Sequence, residues 1–134
     1  MNDIPTVKAL SNGAAYLVSL NDGTHEWAAD EPVALGGADR GPTPHHLLLS
    51  ALGACTAVTL RMYAARKSWT LEEVRVELQF NPEGTPAAGN DIRRRITLRG
   101  TLSAEQRERL LQIANACPIH KVLSGEVRIA TSLA

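Results

Sequence analysis

A chain of 134 residues has room for one domain with its own core and none for a second. Its fourteen lysines and arginines balance fourteen aspartates and glutamates, so no global field draws nucleic acid or an anionic membrane, and partners must be recognised locally. The opening residues, MNDIPTVKAL, lack the positive segment and apolar run of a secretory signal, and the longest uncharged stretch, Leu47 to Leu60, falls short of the ~18 apolar residues that span a bilayer. The expectation is a cytoplasmic protein that makes no membrane contact.

Three strand-like runs come first, Thr6 to Leu10, Ala14 to Leu20 and Thr24 to Ala29, separated by Asn12-Gly13 and Asn21-Asp22-Gly23. These separators supply the positive φ of tight turns and predict an antiparallel meander. The linker Leu35-Gly36-Gly37-Ala38-Asp39-Arg40-Gly41-Pro42-Thr43-Pro44 cannot continue a strand. From about His45 to Lys67 the pattern is one long helix, apolar on all sides as far as Leu60, which predicts burial on most faces. A single chain of this size has trouble providing that cover.

Val74, Val76, Leu78 and Phe80 then alternate with Arg75, Glu77 and Gln79, and Ile92, Ile96 and Leu98 with Arg93, Arg95, Thr97 and Arg99. This predicts a second antiparallel pair with a Pro/Gly loop over residues 81–91. Ser103 with Gln106 is a capping-box pattern for a helix from Ala104 to about Ala116. Pro118 suits the first position of a further short helix ended by Gly125, and Glu126 to Ser132 alternates as a final strand. The order βββ-α-ββ-αα-β is segregated α+β.

The chain has two cysteines. In a reducing compartment such a pair seldom forms a permanent bridge. On a helical wheel Cys55 shares its face with Leu48, Ala51, Leu52, Val58, Thr59 and Met62, surroundings that disfavour a thiolate. By itself it reads as a small core residue. Cys117 stands differently, at the cap of the helix that Pro118 opens, where free backbone N–H groups and the helix dipole favour an anion.

Gly41-Pro42-Thr43-Pro44 with Leu47-Leu48-Leu49-Ser50-Ala51-Leu52-Gly53-Ala54-Cys55-Thr56-Ala57, and later Ala114-Asn115-Ala116-Cys117-Pro118-Ile119-His120-Lys121-Val122-Leu123, resemble the two signature blocks of the OsmC/Ohr family. The family comprises osmotically inducible protein C, the organic hydroperoxide resistance proteins and their relatives. The resemblance covers almost the whole chain. It implies an OsmC-like fold and an obligate homodimer, with long central helices of both chains wrapped by antiparallel sheets. It also implies a peroxidase without a cofactor or metal, acting on organic hydroperoxides and on hydrogen peroxide. Cys55 attacks the peroxide and becomes a sulfenic acid, Cys117 resolves it to a disulfide, and a dithiol such as a lipoylated protein restores the pair.

One position departs from that pattern. The peroxidase branch carries a glutamate ten residues before the first cysteine, orienting an arginine that stabilises the thiolate; here that position is His45, followed by His46. Arg66 is in phase with Cys55 but roughly 16 Å along the helix axis, too far to serve. Arg40 on the linker is the first candidate for the missing cation. Arg94 is the second, since the strand alternation turns it to the face of Ile92 and Ile96, where an arginine is costly unless paired. His45, His46 and His120 are candidate auxiliaries, because a neutral imidazole can accept a cysteine proton.

Three rival functions follow from the same residues. The cysteines and histidines could supply zinc ligands, but no paired-ligand spacing anchors them. Arg93-Arg94-Arg95 with Arg99 hints at nucleic acid, yet the alternation splits them over two faces, with Glu73 and Glu77 across the hairpin to pair the exposed ones. The third is an inactive OsmC-like dimer that binds a small apolar or thiol-bearing ligand.

Overall fold

The computed structural model describes residues 4–134, which divide into two compact units that meet between Leu48 and Leu49. The first unit carries an antiparallel sheet in the order β1-β2-β3, built from β1 (Lys8–Leu10), β2 (Val18–Asn21) and β3 (Glu26–Ala29). Gly23, at φ 95°, turns the chain between β2 and β3 in the left-handed region that glycine adopts without strain. The strands are shorter than the predicted runs. Residues 14–17 form a turn instead of extending, with Ala15 at φ 44° and the Leu17 N–H bonded to the Ala14 carbonyl.

Asp30, just past β3, is buried and organises the linker. Its carboxylate accepts the backbone N–H groups of Glu31, Ala38 and Arg40 at 2.7, 3.2 and 3.1 Å. Burial by itself would raise its pKa; the backbone donors, Arg40's foremost, and the Arg40 charge outweigh burial and hold the carboxyl below its ordinary value. Gly41 packs so tightly here that a Cβ would lie 2.6 Å from the Ala28 carbonyl oxygen.

Helix α1 (Pro44–Lys67) begins where the sequence predicts, with proline at its first position. The Thr43 hydroxyl accepts the His46 N–H at 3.3 Å and meets the His46 ring nitrogen at 2.7 Å, so the first turn is capped by a side chain.

The second unit pairs β4 (Thr70–Phe80) with β5 (Ile92–Thr101) in antiparallel register, Val76 opposite Ile96 and Leu78 opposite Arg94. Period-2 alternation sorts their side chains. Val74, Val76, Leu78, Ile92, Arg94, Ile96 and Leu98 are half-buried, while Arg75, Arg93, Arg95 and Arg99 are exposed. Glu73 bonds both Arg75 and Arg99 at 2.8 Å, Arg93 bonds Glu83 at 2.7 Å, and Glu77 stands opposite Arg95 in the register. The arginine run is therefore split across two faces, and its exposed members lie among carboxylates.

Gly53 lets α1 cross this hairpin closely, since a Cβ there would lie 2.9 Å from Leu78 Cδ1. Helix α2 (Ala104–Ala114) ends two residues short of its predicted limit and keeps the predicted cap, the Ser103 hydroxyl accepting the Gln106 N–H and the Gln106 side chain accepting the Ser103 N–H. Leu60 and Ala64 of α1, Leu71 of β4, and Leu110 and Ala114 of α2 form the core. Full burial of a leucine such as Leu60 or Leu110 stabilises by about 1.5–3 kcal/mol. Helix α3 (Pro118–Ser124) follows at once, capped by Cys117.

Two expectations are corrected. Burial of α1 is confined to one i, i+4 stripe, Leu52, Thr56, Leu60 and Ala64. Val58 and Met62 on other faces are 51% and 56% exposed, because the hairpin and α2 cover only one side. By length and composition alone α1 could also cross a membrane. The predicted final strand at Glu126–Ser132 is not formed: residues 125–134 are exposed and unpaired by any strand, and a strand needs a neighbour for its backbone groups.

Candidate active site

Cys117 sits where α2 ends and α3 starts. Ala114, the last residue of α2, and the following Asn115 close that helix, and Pro118, with its fixed φ, opens α3. Between them Cys117 adopts φ −64°, ψ 139°, and its sulfur accepts the His120 N–H at 3.3 Å. This is the N-cap bond normally made by an oxygen. The sulfur is fully buried in the chain.

Cys55 flanks the buried stripe of α1 and is half-buried. The hydroxyl of the next residue, Thr56, donates to the Leu52 carbonyl at 2.7 Å. Burial alone would push the Cys117 thiol up. The His120 N–H, the Cys55 thiol, the Thr56 hydroxyl and the Arg94 charge together outweigh it and bring the thiol below its ordinary value.

Arg94 is the cation of this site. It points inward from β5 as the alternation predicts, and three partners hold it. Nη1 donates to Thr56 Oγ1, and Nη2 donates to Asn115 Oδ1 and His120 Nδ1, each at 3.0 Å. A guanidinium only donates, so Nδ1 of His120 must accept, which leaves its proton on Nε2 and the ring neutral. Burial first, and the Arg94 charge second, hold the His120 pKa below its ordinary value, in keeping with that tautomer.

Arg94, Asn115 and His120 line one side of a cleft of about 420 Å³, whose other walls include Leu52, Ile96 and Leu111. A polar, cationic edge against apolar walls suits a ligand with one polar end.

The structure thus brings together four of the residues singled out in the sequence: Cys55, Cys117, Arg94 and His120. Arg40, His45 and His46 belong to the first unit. Arg40 is exposed and donates its backbone N–H to Asp30, and His45 and His46 form the first turn of α1. Two site residues escaped the sequence reading. Asn115 looked like an ordinary helix end, and Thr56 lies 100° around the helix from Cys55, off the face assigned to the cysteine. The signal for Thr56 was the i, i+4 spacing of Leu52, Thr56 and Leu60, which marks a buried hydroxyl. Among the described residues no group of three or more His, Cys, Asp or Glu side chains converges as a metal site would require.

Comparison with known proteins agrees with this architecture. The family model described as OsmC-like protein matches residues 36–132. The chain belongs to the OsmC-like family. Among solved structures it is similar to the OsmC-like protein of Mycoplasma pneumoniae, with TM-score 0.78, 20% identity, and 93% and 90% of the two chains covered. It is also similar to an organic hydroperoxide resistance protein OsmC of Legionella pneumophila, with TM-score 0.63, 24% identity, and 92% and 93% covered. The organic hydroperoxide resistance protein OhrB of Bacillus subtilis superposes at TM-score 0.59 with 22% identity, 90% of each chain covered. The α+β fold is that of these OsmC-like structures. A comparison with curated protein sequences finds no match.

Proposed function

We propose that this OsmC-like chain is a cytoplasmic, homodimeric thiol peroxidase in which Cys55 attacks an organic hydroperoxide and Cys117 resolves the product. The observation that carries the reading is Arg94, held by Thr56 and His120, beside the buried Cys117 sulfur that the His120 N–H bonds, with Cys55 among the groups that lower its thiol pKa. Before attack the pair shares one proton; with that proton on Cys117, the half-buried Cys55 is the thiolate.

Cys55 attacks one peroxide oxygen, the S–O bond forming as O–O breaks. The leaving alkoxide takes the proton from Cys117 and departs as the alcohol, leaving a sulfenic acid on Cys55. Cys117, now a thiolate, attacks the sulfenic sulfur; S–S forms, S–O breaks, and the released hydroxide takes a proton from solvent to become water. A dithiol reductant, such as a lipoylated protein, returns both cysteines to thiols and is itself oxidised to a disulfide.

The open face of α1, with Val58 and Met62, and the unpaired segment 125–134 support a second copy as the missing cover. The test of the enzyme reading is direct. Reduced protein is treated with one equivalent of cumene hydroperoxide, and a Cys55–Cys117 disulfide is sought by peptide mass spectrometry. No bridge and no peroxide consumption would sink it. The second reading, a ligand-binding dimer without peroxidase activity, is favoured by His45 standing where the peroxidase branch has glutamate. It expects the same protein to survive peroxide unchanged.

A further inference from the structure

We infer that His120 is the positioning residue that ties the Arg94 guanidinium to the Cys117 sulfur, an inference that rests on the proposed role of the cysteine pair. Two bonds from different parts of this one residue make the tie. Its backbone N–H donates to Cys117 Sγ at 3.3 Å, and its ring Nδ1 accepts from Arg94 Nη2 at 3.0 Å. The other partners of Arg94 hold it from elsewhere. Asn115 Oδ1 accepts from Nη2 at 3.0 Å from the end of α2, and Thr56 on α1 accepts from Nη1 while its own hydroxyl proton goes to the Leu52 carbonyl at 2.7 Å.

The backbone bond places the residue, and the ring gives it an effect. His120 is the third residue of α3, where Pro118 fixes the entry and the Ser124 hydroxyl bonds the His120 carbonyl at 2.7 Å, so its backbone is held on both sides. Any residue except proline supplies an N–H there. A guanidinium donates and never accepts, so the side chain must present a neutral acceptor at its δ position to hold Arg94 without cancelling its charge. The half-buried ring stands with Arg94 in the wall of the cleft, and without it the guanidinium has open space to swing into. Attraction between charges falls with distance, so a swinging cation favours the thiolate less. The His120 ring thus acts on the sulfur through Arg94.

The experiment titrates Cys117 by its thiolate ultraviolet absorbance in a Cys55→Ser background without peroxide, where Cys117 is the one remaining thiol. His120→Leu removes the acceptor, and His120→Asn returns a neutral oxygen near the place of Nδ1. The expected result is a midpoint raised by about half a pH unit in His120→Leu, about a threefold fall in the ionisation constant, and brought back toward the parent in His120→Asn. The same leucine change in an Arg94→Met background should add nothing, because the group it acts through is gone. A leucine shift that persists at full size without Arg94 is an effect of packing or solvation and overturns the inference. An unchanged midpoint in His120→Leu overturns it too, as does an asparagine variant that shifts as far as the leucine one. If His120→Leu does not fold, His120→Ala removes the same acceptor and is judged by the same results. Because no peroxide is used, a protein that passes this test and yet forms no Cys55–Cys117 disulfide with cumene hydroperoxide would refute the peroxidase reading and leave the tie standing.

Discussion

Replacing Arg94 by methionine removes the charge of the site while roughly keeping the length of the side chain. Arg94 bonds Thr56 Oγ1 and His120 Nδ1 at 3.0 Å, and its charge helps lower the Cys117 thiol pKa, an interaction reckoned at a separation on the order of 6 Å. At an effective dielectric of about 20, two unit charges at that distance attract by about 2.8 kcal/mol, equivalent to about two pH units. Arg94 is half-buried and partly screened by water, so a shift of roughly one unit is expected, upward, because the thiolate loses its cation. At neutral pH the thiolate fraction falls, by at most about tenfold for a one-unit shift, and the rate of disulfide formation with cumene hydroperoxide falls with it. The assay is stopped-flow oxidation of Arg94→Met against the parent, with the pH–rate profile of each. His120 offers an internal control, because losing a like charge raises its pKa as well, and its ring proton resonances report that titration separately. A rate and profile indistinguishable from the parent in a folded Arg94→Met would refute the assignment of Arg94 as the activating cation.

His120 accepts from Arg94 only while neutral, and its folded pKa lies below the ordinary value of about 6.5. The folded chain therefore binds fewer protons than the unfolded one, so this contribution is fully present above about pH 6.5 and is lost as pH falls through the folded value. Urea melts from pH 7.5 to 5 should show that loss in the parent and a flatter profile in His120→Gln. On the open face of α1, Val58 is 51% exposed in the single chain. If a second copy covers it, the parent elutes as a dimer in size-exclusion light scattering and Val58→Glu shifts toward monomer; equal masses for both would count against that interface.

Much of this site was legible in the sequence because its positions are fixed by local rules. Alternation along Ile92, Arg94 and Ile96 turned one arginine of three inward, and the structure holds it half-buried with three partners. The Cys117-Pro118 step predicted a capping sulfur, which the His120 N–H satisfies. What local rules cannot supply is the partner brought from elsewhere in the chain. Thr56 and Arg94 are separated by 38 residues and Arg94 and His120 by 26, and no period links them. The final strand failed for a related reason. Alternation from Glu126 to Ser132 shows that the segment suits a sheet, but an unpaired strand leaves its backbone groups without partners, and pairing is a property of a neighbour. The sequence also ranked Arg40 first on its position before α1; within the first unit its backbone N–H serves Asp30 and its side chain is exposed.

If the chain is the peroxidase proposed above, with His45 where the resemblance places a glutamate, Arg94 has to be held without that carboxylate. A glutamate orients a guanidinium at the cost of neutralising it. Asn115 and His120 orient Arg94 through a neutral amide oxygen and a neutral ring nitrogen, so its full charge remains available to the nearby sulfur. Asn115→Asp tests this at nearly constant shape: the oxygen 3.0 Å from Arg94 Nη2 still accepts the bond but now carries a negative charge. Geometry alone would predict a tighter clamp and an equal or faster enzyme. Electrostatics predicts the opposite, since the new carboxylate spends the guanidinium's charge on itself and repels a thiolate across the same arginine, raising the Cys117 pKa and slowing oxidation at neutral pH. His120 would titrate higher for the same reason. A folded Asn115→Asp that keeps the parent's Cys117 titration and oxidation rate would show that orientation, and not free charge, is what Arg94 contributes.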